Sequence, residues 1–295
     1  MTVFAVLLDG LVSGAALATL ALAFSAVYLP TKIFHVALGA IFAASPFVYA
    51  ALTGAGLPAV LAAPLTVSAA TVASALVERW NHAPLERRGS AETTHFVTSL
   101  GLFIVLVQLT VVFRDDAGHF LRTGVDELWR VPLFGVQMAR SRVLLGVAST
   151  GMVLSFFVLL LRTRMGLRFR ALAQNPTESA LRGIDVSRVR LQAFAVSGLL
   201  GGLAAVLYAY DRGYDAYLGF DMVLLAVVAV IIGGRDSFAG PILGAVVLGI
   251  VRETIRWTLS ARWQDAGSFF LLAMFLVMRP QGLIGRSTRV EEELS

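Results

Sequence analysis

The chain contains no cysteine. That excludes disulfides, thiolate metal sites and cysteine nucleophiles, and leaves the redox compartment undetermined. It holds one lysine, Lys32, preceded by Thr31. A P-loop needs glycine-lysine-serine or -threonine after a glycine-rich run, so this chain has none and does not bind ATP that way. The four histidines, His35, His82, His95 and His119, are scattered without metal-ligand spacing. There is no H-E-x-x-H and no G-x-S-x-G elbow. No catalytic set is legible, and no enzyme activity, metal or cofactor is expected. Charge is scarce too: 15% of residues are Asp, Glu, Lys or Arg, against about 25% in soluble domains.

What fills the chain is apolar. It is 57% hydrophobic over 295 residues, with a mean hydropathy of +0.78. A transmembrane helix needs roughly 20 apolar residues. Six stretches qualify: Val3–Leu29, Phe34–Leu52, Leu57–Val77, Phe96–Phe113, Val143–Leu161 and Leu191–Tyr210. Three shorter ones follow, Met222–Ile232, Phe238–Val251 and Gly267–Met278, with a break at Gly233-Gly234. The expected fold is therefore all-α: a polytopic membrane protein with about eight or nine transmembrane helices, the last ones broken or re-entrant, in one transmembrane domain over 1–295. The first stretch lacks a basic leader and a cleavage site, so it reads as a span rather than a signal peptide. The partner common to all of this is the lipid bilayer of a cell membrane.

The net charge of +5 comes from arginines concentrated in loops. No stretch interleaves basic and aromatic residues as a nucleic-acid surface would, so no nucleic-acid partner is expected. The densest basic segment is 162–190. It carries Arg162, Arg164, Arg168, Arg170, Arg182, Arg188 and Arg190 against Glu178 and Asp185. Short arginine-rich loops stay in the cytoplasm. Loop 78–95, with Arg79, Arg87 and Arg88, and the tail, with Arg279, Arg286 and Arg289, fall on the same side if nine crossings are counted. The N-terminus is then outside and the C-terminus cytoplasmic. Loop 114–142 falls outside, and its five arginines are a modest conflict with that rule.

Inside the basic loop lies a helix signature. Asn175 suits the N-cap, Pro176 the first helical position and Glu178 the third, reaching back to the cap. Gly183 ends it after about two turns. Ala180 and Leu181 are its small and apolar contacts, of the type that docks into a cleft on a partner protein. Glycines four apart, Gly10 and Gly14, Gly198 and Gly202, Gly240 and Gly244, mark faces where helices pack closely in lipid. Ionisable residues near spans are functional candidates: Asp9, His35 and Asp221, the last two as candidates for the substrate path.

The stretch RTRMGLRFRALAQNPTESALRGIDVSRVRLQAFAVSGLLGGLAAVL resembles the permease subunits of branched-chain amino acid ABC importers. So do IIGGRDSFAGPILGAVVLG and the ending MRPQGLIG. The resemblance implies an ATP-driven importer. This subunit would pair with a second homologous permease subunit, with separate ATP-binding cassette ATPase subunits and with an extracytoplasmic solute-binding protein. It also implies that Asn175, Pro176, Glu178, Ala180, Leu181, Gly183 and Ile184 form the coupling helix that meets the ATPase. The usual Glu-Ala-Ala loop pattern is one residue short here, from Glu178-Ser179-Ala180 to Gly183. The family's Asn-Phe-Ala-His-Gly segment is replaced by His35-Val36-Ala37-Leu38-Gly39, which leaves a related polar solute such as urea or an amide open as cargo. An ion-coupled secondary transporter is the alternative. It would favour paired acidic residues deep within spans, and the sequence shows almost none.

Overall fold

The computed structural model describes residues 3–114, 117–121, 130–133 and 136–284. Arg122, one of the five arginines of loop 114–142, and Arg286 and Arg289 of the tail, which enter the charge argument above, lie outside them. The helices are α1 (Val3–Thr31), α2 (Ala37–Gly54), α3 (Ala59–Val77), α4 (Ala83–Arg87), α5 (Glu92–Arg114), α6 (Arg140–Arg162), α7 (Arg164–Gln174), α8 (Pro176–Leu181), α9 (Val186–Arg212), α10 (Leu218–Gly233), α11 (Gly240–Thr258) and α12 (Gln264–Met278). A π turn, Glu78–His82, runs α3 into α4 without a break. Among the described residues, six helical stretches are long and apolar enough to cross a membrane, and α10 is a shorter apolar helix. The chain is a polytopic helical membrane protein.

Two features differ from the sequence expectation. Loop 114–142 contains a small antiparallel hairpin, β1 (Arg130–Leu133) with β2 (Val136–Ala139). The break expected at Gly233-Gly234 does separate α10 from α11, but α11 runs to Thr258, seven residues past the expected end. Arg252, Glu253 and Arg256 interrupt its hydropathy, but Glu253 pairs with Arg142 on α6, Arg252 with Asp265 on α12, and Arg256 with Glu253 one turn before it.

The core sits where α1, α9, α10 and α11 meet, around Leu20, Phe24, Leu38, Leu200, Ala226 and Leu248. Glycine decides the closest approaches. A Cβ on Gly14 would lie 2.8 Å from Val246 Cα, and one on Gly10 would lie 2.7 Å from Ile250 Cα. α1 and α11 therefore run antiparallel almost backbone to backbone. Gly198 and Gly202 do the same for α9 against α3, at 2.5 Å from Ala70. Gly244 would meet the carbonyl of Ala229 on α10. All three glycine pairs expected from the sequence lie at such contacts. Without a strong hydrophobic drive between helices in lipid, this kind of packing supplies much of the association energy.

The RPQGL ending has a local explanation. Gly282 adopts φ 74°, and a side chain there would strike Gly234 N at 2.5 Å. The turn lets Leu283 and Ile284 donate to the carbonyls of Ile232 and Gly233 at 2.9 and 3.0 Å. Those are orphan carbonyls at the C-terminus of α10, so the ending caps that helix.

Candidate functional site

The basic loop folds into two short helices, α7 and α8, that lead into α9. Thr163 Oγ1 accepts from the Gly166 amide (3.0 Å) and starts α7. A Cβ on Gly166 would lie 2.3 Å from the Leu159 carbonyl, so only glycine lets α7 fold back onto α6. α7 buries Gly166, Phe169 and Leu172, three residues apart, and exposes Arg164 and Arg168. The sequence reading missed this helix. Its signal is the Thr163 cap and the small-and-apolar stripe beneath the arginines.

α8 forms where expected. Asn175 Oδ1 accepts from the Glu178 amide at 3.1 Å. The reciprocal half of the capping box does not form: the Glu178 carboxylate pairs instead with Arg182 one turn on. At the other end Gly183 takes φ 82°. Its amide donates to Ala180 O and the Ile184 amide donates to Ser179 O, both at 3.0 Å. This is a complete Schellman closure. Nothing lies within 4 Å of a Cβ on Gly183, so the backbone angle, not space, selects glycine there. Asp185 Oδ1 then caps α9 by accepting from the Arg188 amide at 3.0 Å. The outcome is a capped, exposed helix whose Leu181 is 84% exposed. Ala180 is exposed beside it, Ile184 is half-buried and Ser179 is the buried anchor.

A second site lies inside the bundle. Arg142, at the start of α6, is 8% exposed. Its Nε donates to Asp9 Oδ1 (3.1 Å), Nη1 to Asp211 Oδ2 (3.0 Å), and Nη2 to Ser13 Oγ (2.6 Å) and Glu253 Oε1 (3.1 Å). Arg212 and Arg256 also pair with Glu253. Three carboxylates, Asp9, Asp211 and Glu253, face three guanidiniums, Arg142, Arg212 and Arg256, so the cluster is formally neutral. It ties together the start of α1, the start of α6, the end of α9 and the end of α11. Next to it a small cavity of about 60 Å³ opens. Its polar end is Ser13, Arg142, Arg212 and Glu253, and its walls are Leu17, Leu20, Phe42, Leu145, Met222 and Leu225. The structure thus places buried carboxylates where the sequence suggested almost none. They are paired with arginines rather than with each other.

His35 and Asp221 do not come together, and neither lines this cavity. His35 is fully buried in the turn between α1 and α2. Ser74 Oγ spends its proton on the Phe194 carbonyl (2.7 Å), so His35 Nε2 donates to Ser74 Oγ (3.3 Å). Asp221 is exposed in the first turn of α10, where the helix dipole favours a carboxylate. Three of the four histidines, His35, His82 and His95, gather in space, while His119 packs against Phe47 and Tyr214. His82 Nδ1 lies 3.1 Å from His95 Nδ1, and the His35 ring centroid lies 6.3 Å from that of His82.

Residues 6–279 match the family model described as branched-chain amino acid transport system, permease component. The chain belongs to this family. Among its relatives, the high-affinity branched-chain amino acid transport system permease protein LivH of Escherichia coli K12 is 27% identical over 291 residues, 94% of each chain. BraD of Pseudomonas aeruginosa, a permease protein of the same description, is 25% identical over 95% of each chain. LivM of Salmonella typhimurium is 32% identical over 142 residues, 47% of this chain and 33% of LivM. A chain of PsaBC from Streptococcus pneumoniae, solved in complex with a Fab, shares the fold at a TM-score of 0.51 and 12% identity, over 92% of this chain and 91% of that one. This permease is thus similar to both LivH-type and LivM-type subunits of branched-chain amino acid transport systems.

Proposed function

We propose that the chain is one membrane-spanning subunit of an ABC importer for branched-chain amino acids, with ATP hydrolysed on separate ATPase subunits. The family match over residues 6–279 carries this reading. A second, homologous permease subunit would pair with it, which similarity to both LivH-type and LivM-type permease proteins supports, and an extracytoplasmic binding protein would deliver the cargo. The arginine-rich end, with α7 and α8, is cytoplasmic by the positive-inside rule, and the C-terminus is assigned to that same side. In α8 the residues Asn175, Pro176, Glu178, Ala180, Leu181, Gly183 and Ile184 form the coupling helix. Capping at both ends and an apolar residue pointing away from the bundle support it. The charged end and leucine walls of the cavity supply the two kinds of contact that a zwitterion with a branched alkyl side chain needs.

The test is reconstitution in proteoliposomes with the ATPase subunits, the second permease and the binding protein. ATP-dependent uptake of leucine, isoleucine or valine is the expected result. Uptake of urea or an amide instead would move the cargo to that class. ATP-independent uptake driven by an ion gradient would overturn the ABC reading.

Two predictions arise here. The isolated chain should hydrolyse no ATP, and robust hydrolysis by contaminant-free protein would count against a separate ATPase. Ala180→Glu should lower both leucine uptake and co-purification of the ATPase while leaving the amount of inserted chain unchanged, because Ala180 is already exposed. Packing the carboxylate introduced by Ala180→Glu against the ATPase would bury it unpaired, which costs more than about 1 kcal/mol. Full uptake with normal ATPase recovery would return α8 to a solvated loop element.

A further inference from the structure

A second buried ion network lies at the opposite end of α9 from the Arg142 cluster, about 30 Å away at 1.5 Å per residue, directly behind the coupling loop. Its centre is Arg190, five residues after the Asp185 cap and 4% exposed. Arg190 Nε donates to Glu78 Oε1 at 2.8 Å, and its Nη2 reaches Glu78 Oε2 at 3.5 Å. Nη1 pairs with Glu86 on α4. One guanidinium fork therefore binds the start of α9 to the segment between α3 and α5. Such a fork holds geometry as well as charge.

Glu78 opens the π turn. Single π turns inside helices concentrate at functional sites and carry a wider, poorer-packed ring than an α-helix, so their persistence depends on outside contacts. Arg190 supplies one at the first residue of the turn. His82 supplies another at the last, through His95 on α5 and against His35 between α1 and α2. Three inter-helix segments, 163–185, 78–91 and 32–36, are thereby joined through one turn of backbone.

We infer that Arg190 and Glu78 are the positioning pair that passes a displacement of the coupling loop into the α3–α5 and α1–α2 segments. The inference rests on the reading of α8 as the coupling helix. Its structural basis is the stiffness of the path. The Schellman closure ends α8 at Ile184 and the Asp185 cap starts α9 at the next residue, so no free linker separates α8 from Arg190 and moving α8 moves Arg190. Arg190 cannot leave Glu78 without stranding buried charge, which is strongly unfavourable. The π turn must follow.

The experiment uses the full reconstituted transporter and reads leucine taken up per ATP hydrolysed. Arg190→Lys keeps the charge and loses the fork. The complex should still assemble and hydrolyse ATP, with uptake per ATP down at least about fivefold, within the range of coupling effects from residues outside both sites. Glu78→Gln should act in the same direction, and the exchange Glu78→Arg with Arg190→Glu should recover part of the ratio. An unchanged ratio in Arg190→Lys overturns the inference. So does failure of the Arg190→Lys complex to accumulate, since the pair would then only hold the fold. Leu181→Asp in the same assay separates the two readings. If ATPase recovery survives Leu181→Asp, α8 is not the docking helix, whatever the Arg190 variants show.

Discussion

Arg142→Leu should remove most of the folded protein from the membrane fraction, and what remains should melt well below the parent. Arg142 is the one guanidinium that touches Asp9, Asp211, Ser13 and Glu253 together. Deleting it leaves three carboxylates against Arg212 and Arg256, with Asp9 and Asp211 stripped of their main partner. Breaking a buried ion pair by removing one side costs about 3–5 kcal/mol. Against a typical total of about 5–15 kcal/mol that is a large fraction. The loss should be felt on four helices at once, because the cluster joins α1, α6, α9 and α11. Thermal aggregation in detergent, followed by size-exclusion chromatography, measures it. A midpoint within about 2 °C of the parent, equivalent to under about 1 kcal/mol, would mean that the cluster is dispensable. Arg142→Lys should be intermediate, since an ammonium cannot serve two carboxylates and a hydroxyl with planar geometry.

The cluster also shows why part of this molecule could be read from sequence and part could not. α8 was legible because its determinants are local: Asn175, Pro176 and Gly183 act on backbone within a few residues. The spans were legible because hydropathy is a sum over neighbours. The glycine pairs were legible because a four-residue spacing puts both on one helix face. The ion networks were not. Arg142 meets Asp211 across 69 positions and Glu253 across 111. On its own each of these residues looks like a charge near the end of a span. The pairing that makes such charges tolerable in a bundle is invisible until the helices are assembled. The three histidines are hidden the same way, since His35, His82 and His95 sit on different elements. α11 was cut short for a related reason: Arg252 and Glu253 lower the local hydropathy, although both are neutralised by partners. α7 was missed because its arginines mask the stripe of Gly166, Phe169 and Leu172 beneath them.

Gly249→Leu should abolish insertion of a stable chain, and Gly249→Ala should already be severe. A Cβ at 249 would sit 2.5 Å from Gly14 Cα and N and 2.6 Å from the Gly10 carbonyl. All three are backbone atoms, so no rotamer change relieves the clash. The α1–α11 pair must separate. Overpacking a tight contact costs about 1–3 kcal/mol even when the neighbours can adjust, and here the adjustment is a helix displacement. That displacement would propagate, because Ser13 and Glu253 lie on the same two helices and bond at 2.7 Å. Opening the glycine seam therefore also strains the Arg142 cluster, and Gly249→Ala combined with Arg142→Lys should destabilise by an amount different from the sum of the two. The control is Gly151→Ala or Gly101→Ala. Both lie within helices with nothing within 4 Å of an added Cβ. Each should be neutral or should stabilise by about 0.5–1 kcal/mol through the better helix propensity of alanine. Equal effects at 249 and 151 would show that glycine in this chain serves helix propensity alone, and that the close approach of α1 to α11 does not hold the bundle together.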